Sequence, residues 1–179
     1  MRIVSGKYKG RRLSPPKQLP VRPTTDMAKE ALFNILNNQY YFDELSVCDL
    51  FAGTGNISFE FASRGTLDIT AVDSHYNCIR YINSVSEDLK LPITTIKSDV
   101  FKYLANCKRS FDIVFADPPY DLEQETFEAL TLQILDQDLL SREGLCIIEH
   151  SKHTDLTQIK GFETQKRYGG NCFSFFYKG

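Results

Sequence analysis

From residue 45 onward, short apolar runs alternate along the chain with longer segments in which apolar residues recur at helical spacing. Apolar runs of this length predict strands, and the longer segments predict helices. Strands are expected near 46–50, 68–73, 93–97, 111–116 and 144–149, and helices near 55–64, 75–90, 99–107 and 122–136. Strands that alternate with helices are typical of the α/β class and predict a doubly wound, mostly parallel sheet.

Two more strand-like runs, near 161–168 and 172–177, follow towards the carboxyl-terminal end. The tight turn Tyr168-Gly169-Gly170-Asn171 joins them, as expected for a β-hairpin. A hairpin at this place predicts that an antiparallel strand is added to the sheet. The expected sheet therefore has seven strands.

The N-terminal region follows a different pattern. Two short strand-like runs, 2–5 and 11–13, flank a Gly-Lys-Tyr-Lys-Gly turn and predict a β-hairpin. Four prolines between positions 15 and 23 then predict an extended connector in which no helix forms. A helix is expected over Met27–Asn37, with Thr24 or Thr25 as its N-cap. We therefore divide the chain into a hairpin with its connector, residues 1–25, and a main domain, residues 26–179.

Charge is distributed unevenly along the chain, although the formal net charge is only −2. Residues 1–25, the basic arm, carry seven cations and no acid, which leaves 14 cations and 23 acids, a charge of −9, for the rest. A basic arm on an acidic body favours a partner that is rich in phosphate. A solvated basic tail is the alternative interpretation. The seven cations are Arg2, Lys7, Lys9, Arg11, Arg12, Lys17 and Arg22.

Length and composition exclude several classes of protein. With 179 residues, 42% of them hydrophobic and 25% charged, the chain can bury a core and is not expected to be disordered. Its five cysteines are at least 26 positions apart, which disfavours a zinc ribbon or a disulfide framework. No apolar run reaches the length of a membrane span, and the first residues lack the apolar stretch of a signal peptide. We therefore expect a cytoplasmic protein without a membrane segment.

Two histidines, His150 and His153, have the spacing of metal ligands. A zinc site would need further ligands in a matching cluster, and no such cluster accompanies them in the sequence. We therefore predict two surface histidines and no metal site.

A glycine-rich loop follows the first strand of the main domain. Gly53 and Gly55 allow a tight turn and a close approach of the backbone to a ligand, although the third position of a dinucleotide-binding fingerprint is Ser58. Asp73, at the end of the second strand, follows Gly55 by 18 positions. An acid at this place accepts hydrogen bonds from the ribose hydroxyls of a nucleotide-like cofactor. A purely structural turn is the alternative.

Acids also follow the other early strands. Asp49, Asp73 and Asp99 are expected at the carboxyl edge of the sheet, although each alone is more often a helix N-cap. Diphosphates avoid nearby carboxylates, and Asp49 lies in the loop itself. The loop therefore suits a cationic ligand such as S-adenosylmethionine better than NAD, which is the alternative cofactor.

The tetrad Asp117-Pro118-Pro119-Tyr120 follows the fourth strand. Two prolines restrict the backbone and remove two donors, so carbonyl groups point in set directions beside an acidic side chain. Such acceptors can hold the two N–H groups of an exocyclic amine, while Tyr120 offers a flat face for stacking on a base. A turn that merely ends a strand is the alternative interpretation.

These motifs resemble those of a known enzyme family. The tetrad resembles the (D/N)PP(Y/F) motif of methyltransferases that act on amino groups of bases, and residues 49–55 are similar to their first motif. The chain also resembles the bacterial small-subunit (16S) ribosomal RNA guanine-N2 methyltransferases, and the matching segments follow in the same order over nearly its whole length. These segments are MRIVSGKYKGRRL at the N-terminus, residues 22–26 and 29–36, and Arg167-Tyr168-Gly169. Asp73, where many relatives have glutamate, and the segment 56–58 depart from the family pattern.

The resemblance implies a class I, Rossmann-like methyltransferase fold and transfer of a methyl group from S-adenosylmethionine to guanine N2. In this interpretation, Asp117 and the Pro118 carbonyl accept the N–H bonds, Tyr120 stacks on a base turned out of its helix, and Pro119 completes the catalytic tetrad. Predicted cofactor contacts are Thr25, Asp49, Phe51, Ala52, Gly53, Gly55, Asp73, Ser74, Asp99 and Val100. Predicted RNA contacts are Lys7, Lys9, Arg11, Arg12 and Arg22.

Other functions use part of the same features. An NAD-dependent oxidoreductase would use the glycine loop and Asp73 but not the tetrad, and a non-enzymatic RNA-binding protein would use only the basic arm. DNA adenine or protein glutamine methylation could use the same tetrad. We expect a monomer that acts on ribosomal RNA, either naked or within an assembling subunit.

Overall fold

Seven strands form one sheet in the computed structural model, which describes residues 1–19, 24–136 and 138–178. Apolar residues on both faces of the central strands bury them between two layers of helices. The strands are β1 (Ser46–Leu50), β2 (Asp68–Asp73), β3 (Ile93–Lys97), β4 (Phe111–Ala116), β5 (Leu140–Ser151), β6 (Phe162–Tyr168) and β7 (Asn171–Tyr177).

The strand order of the sheet is β3-β2-β1-β4-β5-β7-β6. Strands β1 to β5 are parallel, and β7 runs antiparallel to both β5 and β6. The order reverses between β1 and β4, and open α/β sheets bind ligands at such a point, beyond the carboxyl ends of the strands. The predicted mixed, doubly wound sheet of seven strands is confirmed.

Five α-helices cover the two faces of the sheet in the described part of the chain. The first three pack with residues of the basic arm in one apolar cluster, and the last two pack in a second cluster on the other face. Thr25 caps the first helix by accepting a bond from the Ala28 amide at 3.2 Å. The helices are α1 (Asp26–Asn37), α2 (Asn56–Ser63), α3 (Tyr76–Leu89), α4 (Val100–Asn106) and α5 (Gln124–Asp136).

The main difference from the predicted elements lies at the start of β5. The strand was expected from residue 144 but begins at Leu140, which pairs with Phe111 before the register shifts. Exposed, charged Arg142 and Glu143 occupy this irregular part, so no apolar run marks it in the sequence. A short 3₁₀-helix, Phe42–Glu44, also lacks a sequence signal of its own.

The prediction of two surface histidines is wrong for His150, which is fully buried. Its ring nitrogens lie 2.8 Å from the Ser151 carbonyl and 2.8 Å from the Ser174 hydroxyl, and burial lowers its pKa. The residue lies inside β5, between β4 and β7, where a satisfied polar ring can replace an apolar side chain. His153, beyond the strand, is exposed as expected.

The basic arm packs onto the sheet domain, and the runs predicted at 2–5 and 11–13 pair with each other, although through one short bridge and not as two continuous strands. A single antiparallel bridge joins Arg2 and Arg12, with bonds of 2.9 Å from the Ile3 amide to the Arg11 carbonyl and 2.8 Å from the Gly10 amide to the Ile3 carbonyl. The Val4 and Ser5 amides donate to the Glu60 side chain of α2 instead of to a partner strand, at 2.9 and 3.0 Å. The proposed boundary at residue 25 stays a prediction.

A buried lysine connects the arm to the first two helices. Lys29 is only 1% exposed, and its ammonium donates to the Arg2 carbonyl at 2.6 Å and to the Asn56 side chain at 2.7 Å. It also lies 3.6 Å from the buried carboxylate of Glu60. Burial lowers the pKa of Lys29, and the charge of Glu60 opposes this shift.

The arm runs beside α2 from one end of that helix to the other. Met1 and Arg2 lie near its start, where the Met1 sulfur contacts the Thr54 hydroxyl at 3.5 Å. The Lys7 amide donates to the carbonyl of Ser63, the last residue of α2, at 2.7 Å. A helix of eight residues spans about 12 Å, so the turn of the arm lies about that far from the carboxyl edge of the sheet.

No α-helix in the described ranges combines the length and the apolar character that a membrane crossing needs. The five cysteines are free thiols.

Replacing Gly6 by alanine is expected to displace the arm, because the new Cβ would overlap the carbonyl group of Ser63. Gly10 provides a matched control, since its φ of +84° is close to the +81° of Gly6 but nothing lies within 4 Å of a Cβ there. Both variants carry the strain of a left-handed residue, about 1–2 kcal/mol. In urea unfolding, Gly6→Ala should lose about 2 kcal/mol more of the free energy of unfolding than Gly10→Ala. Equal losses would contradict the packing of the arm against α2.

Candidate active site at the carboxyl edge of the sheet

The loop after β1 has an unusual backbone. Phe51, Gly53 and Gly55 have positive φ angles of 58°, 54° and 77°. A bulky residue such as Phe51 rarely adopts this conformation, which costs on the order of 1–3 kcal/mol. A Cβ at Gly55 would come within 2.9 Å of the Ile82 side chain, so glycine is also required there by packing. The loop turns sharply towards the start of α2.

Asp73, the last residue of β2, holds this loop in place. One carboxylate oxygen accepts from the Gly53 amide at 2.8 Å and the other from the His75 amide at 2.7 Å. A carboxylate offers about four lone-pair positions, so both oxygens can accept further hydrogen bonds. The side chain is half-buried and faces a cavity, which places its remaining acceptor positions within reach of a ligand.

Asp49 lies inside β1 and is 2% exposed. One of its oxygens accepts from the Ser58 amide at 3.1 Å and from the Ser58 hydroxyl at 2.5 Å, which connects β1 to the first turn of α2. Burial raises the pKa of Asp49 to about 7, although the bonds from Ser58 oppose the shift. The residue therefore supports the loop and titrates near neutral pH.

The tetrad begins where β4 ends, and it lies beside the glycine loop. The Asp117 amide donates to the Leu50 carbonyl at 3.3 Å, which joins the two loops across the switch point. Burial raises the pKa of Asp117 well above its ordinary value, and the nearby carboxylates of Glu149 and Asp49 add to this effect. Pro118 is buried, Pro119 is exposed and Tyr120 is half-buried.

Glu149 is a site residue that the sequence analysis missed. It is 1% exposed and accepts from the hydroxyls of Thr24 at 2.8 Å and Tyr120 at 3.1 Å, and from the Asn171 amide group at 2.7 Å. Ala116 of β4 pairs with Ile148 of β5, so the next residues along, Asp117 and Glu149, are neighbours. The available signal was an acid at the predicted end of the fifth strand.

One cavity of about 550 Å³ joins the glycine loop, the end of β2 and the tetrad. Its size is in the range of small-molecule and cofactor sites. Most of the predicted site residues line it: Asp49, Phe51, Ala52, Gly53, Asp73, Ser74, Asp117, Pro118, Pro119 and Tyr120. Further lining residues, which the sequence analysis did not include, are Thr24, Thr54, Asn56, Ile57, His75, Cys78, Phe115 and Asp121.

Four predicted cofactor contacts do not line this cavity: Thr25, Gly55, Asp99 and Val100. Thr25 and Asp99 are helix N-caps, and the Asp99 carboxylate accepts from the Lys102 amide at 3.0 Å. Gly55 is packed against α3, and Val100 is 2% exposed in the apolar cluster under α4. The hydrogen bond of Asp99 is therefore that of a helix N-cap, which was the alternative to a cofactor contact.

The described cations of the basic arm do not line the cavity. Lys7, Lys9, Arg11 and Arg12 are exposed, and Arg11 forms an ion pair with Asp88 at 3.0 Å. Arg22, the fifth predicted RNA contact, lies outside the described residues.

A family model described as "Conserved hypothetical protein 95" matches residues 1–177 of the chain. Ribosomal RNA small subunit methyltransferase D of Escherichia coli K12 is 30% identical over 169 residues, which cover 89% of this chain and 79% of that protein. The chain therefore belongs to the family of this model, which is also the family of small subunit methyltransferase D. YlbH of Bacillus subtilis is 34% identical over 166 residues, which cover 90% of this chain and 88% of its own. The predicted family and the prediction of a methyltransferase enzyme are confirmed.

Solved structures agree with this assignment. The chain is similar to YhhF of Escherichia coli with a TM-score of 0.84 and 26% identity, covering 99% of this chain and 97% of that one. It also has the fold of a 16S ribosomal RNA N2 methyltransferase of Thermus thermophilus that was solved with AdoMet and guanosine, with a TM-score of 0.68 and 18% identity. That likeness covers 90% of this chain and 45% of the other. The class I methyltransferase fold is therefore confirmed.

The raised pKa of Asp49 generates a prediction about stability. A carboxyl whose pKa is higher in the folded chain stabilises it below the unfolded pKa and loses this contribution as the pH rises through the folded value. For Asp49 the free energy of unfolding should therefore fall between about pH 4 and about pH 7. Asp49→Asn should remove about 2–4 kcal/mol of that fall, as measured by urea unfolding across this range. Asp68→Asn, at the exposed start of β2, is the control, and identical pH profiles for Asp49→Asn and the wild type would contradict the assignment.

Proposed function

We propose that the chain transfers a methyl group from S-adenosylmethionine to the exocyclic N2 of a guanine in 16S ribosomal RNA. The observation that carries this proposal is that one cavity holds both the loop anchored by Asp73 and the tetrad that begins at Asp117. An NAD-dependent oxidoreductase would leave the tetrad unexplained. Membership of the ribosomal RNA methyltransferase family supports RNA as the substrate.

The cavity fits S-adenosylmethionine in size and in charge. Four aspartates line it, Asp49, Asp73, Asp117 and Asp121, and none of its lining residues in the described ranges is lysine or arginine. Carboxylates favour a ligand with sulfonium and ammonium groups and disfavour the diphosphate of a dinucleotide. Asp73 would accept hydrogen bonds from the ribose hydroxyls, since its oxygens have acceptor positions beyond those used by Gly53 and His75. When bound, the cofactor supplies a methyl group on a positively charged sulfur.

The tetrad would hold the target base for attack on that methyl group. The lone pair of guanine N2 is delocalised into the ring, so the enzyme gains most by positioning the amino group in line with the methyl carbon. The Asp117 carboxylate and the Pro118 carbonyl accept its two N–H bonds, and the Tyr120 ring stacks on the base. As the N–C bond forms and the C–S bond breaks, one proton leaves N2. Asp117, whose raised pKa makes it a better base than an exposed aspartate, accepts it.

The basic arm would bind the RNA backbone. Its exposed cations extend beside α2 from the carboxyl edge of the sheet, near Arg12, to the turn at Lys7 and Lys9. An RNA strand leading away from the target base can therefore meet positive charge over about 12 Å. These contacts would position the substrate, because phosphates carry no sequence information.

Asp73→Ala should weaken binding of S-adenosylmethionine and of its demethylated product by about tenfold or more, because it removes the ribose acceptor and one anchor of the glycine loop. Asp68→Ala, at the other end of the same strand and paired with exposed Arg109, should leave both affinities within about twofold. Isothermal titration calorimetry measures the affinity of both variants for S-adenosylmethionine, for its demethylated product and for NAD. Tighter binding of NAD than of either compound would contradict the proposed cofactor.

Asp117→Ala and Tyr120→Ala should reduce methyl transfer by at least about a hundredfold while cofactor affinity stays within a few-fold, because the partners of both side chains are on the base. The substrate is 16S ribosomal RNA from a strain that lacks the gene, and mass spectrometry of the digested product identifies the methylated base. The expected product is N2-methylguanine. A methylated adenine would contradict the proposed base, and near-normal turnover of both variants would make the tetrad a structural turn.

Lys7→Gln combined with Lys9→Gln should weaken RNA binding and flatten its dependence on salt. Each phosphate contact contributes a log–log slope of roughly 0.7–0.9, so the loss of two should lower the slope by about 1.5. Lys102→Gln with Lys108→Gln, which removes the same charge near α4 on the other face, is the control. RNA affinities at several salt concentrations measure the slope. An equal slope in the arm variant and the control would indicate a merely solvated tail.

A further inference from the structure

Glu149 occupies a place in the sheet that normally belongs to an apolar side chain. It lies in β5, between β4 and β7, and pairs with Phe173. Its side chain shares a face of the sheet with Asp49 and Asp117, because the register alternates from Asp49 and Phe115 on neighbouring strands. A carboxylate buried there is costly unless several donors satisfy it. It therefore needs an explanation beyond packing.

Among the described residues, the donors to Glu149 come from three distant segments of the chain. Thr24 precedes α1, Tyr120 follows β4, and Asn171 begins β7. One carboxylate oxygen accepts from Thr24, and the other accepts from both Tyr120 and Asn171. Thr24 and Tyr120 also line the cavity, so Glu149 connects two of its lining residues without lining it itself.

A tyrosine at the end of the tetrad needs no hydroxyl in order to stack. A phenylalanine ring would offer a base the same flat face, so stacking alone does not explain the bond from the hydroxyl to Glu149 at 3.1 Å. The bond restricts rotation of a ring that is otherwise half-exposed beside Pro119. A restrained ring loses less conformational entropy when a base stacks on it.

We propose that Glu149 is a positioning residue, which holds the Tyr120 ring in the orientation that stacks on the target base and also fixes Thr24 beside it in the lining of the cavity. This inference rests on the proposed function, since it takes the Tyr120 ring as the stacking surface. Glu149 touches neither base nor cofactor in this role and acts through the Tyr120 hydroxyl.

A double-mutant cycle separates positioning from a general effect on stability. Tyr120→Phe keeps the ring and removes the tether, and we expect kcat/KM for 16S ribosomal RNA to fall about tenfold. Glu149→Ala should cause a similar loss alone but less than about threefold further loss in the Tyr120→Phe background. Losses that multiply fully would overturn the proposal. Glu149→Gln, which retains acceptor and donor atoms, should recover part of the activity, and Glu143→Ala, exposed in the same strand, should match the wild type.

Fluorine NMR of the full chain labelled with fluorotyrosine gives a readout that does not depend on activity. Tyr120→Phe identifies the Tyr120 signal by its loss, and in Glu149→Ala, which removes the acceptor, this signal should shift and change width while the others keep their positions. An unchanged Tyr120 signal would overturn the positioning role even if activity falls. If the wild type methylates no ribosomal RNA, the proposed function fails, whereas the spectra still decide whether Glu149 restrains the ring. Thermal unfolding of each variant shows that the comparison is made on folded protein.

Discussion

Burial of one ammonium group, that of Lys29, determines how the N-terminal part of the chain meets the sheet domain. A lone buried charge costs several kcal/mol, so its donors must all find acceptors. The Arg2 carbonyl, the Asn56 side chain and the Glu60 carboxylate provide them. The arm, α1 and α2 are thereby held in one arrangement. Asn56 also donates to the Thr24 carbonyl at 3.1 Å. Lys29 is thereby linked, through Asn56, to Thr24 in the lining of the cavity.

The fold places the cations of the N-terminal region and the acids of the main domain in different parts of the molecule. The described cations of the basic arm, Arg2, Lys7, Lys9, Arg11, Arg12 and Lys17, are exposed, whereas Asp49, Asp117 and Glu149 share one face of neighbouring strands. The parallel register gathers these carboxylates because residues of equal position on adjacent strands share a face. Desolvation, with repulsion from Glu149 and Asp49, raises the pKa of Asp117. In the proposed function, this acidic interior receives the cationic cofactor and the basic exterior receives the anionic RNA.

The sequence predicted those elements whose pattern of apolar residues can be seen within a short stretch of chain. Residues 68–73 and 111–116 lie in strands with the predicted bounds, because buried residues on both faces leave a continuous signal. Residues 93–97 also have the predicted bounds, although β3 is a half-exposed edge strand that is rich in β-branched residues. The glycine loop and the tetrad were found because their residue types are rare together. The start of β5, the buried His150 and the contacts of the arm with α2 were not predicted, because each depends on neighbours that are distant in sequence. Residues 4 and 5, for example, pair with Glu60 and not with a strand.

The residues that break local rules are concentrated at the cavity and its supports. Phe51 has a left-handed backbone, Asp49 and Glu149 place carboxylates inside strands, and Lys29 places an ammonium inside a helix face that is otherwise apolar. Each of these features costs stability when taken alone. Phe51 lies in the glycine loop, Glu149 accepts from Thr24 and Tyr120, and both Asp49 and Lys29 bond to residues in the first turn of α2, which follows the loop. A sequence selected for folding alone would place apolar residues at positions 49, 149 and 29. Polar groups at core positions are therefore the features of this chain that separate the requirements of its chemistry from those of its folding.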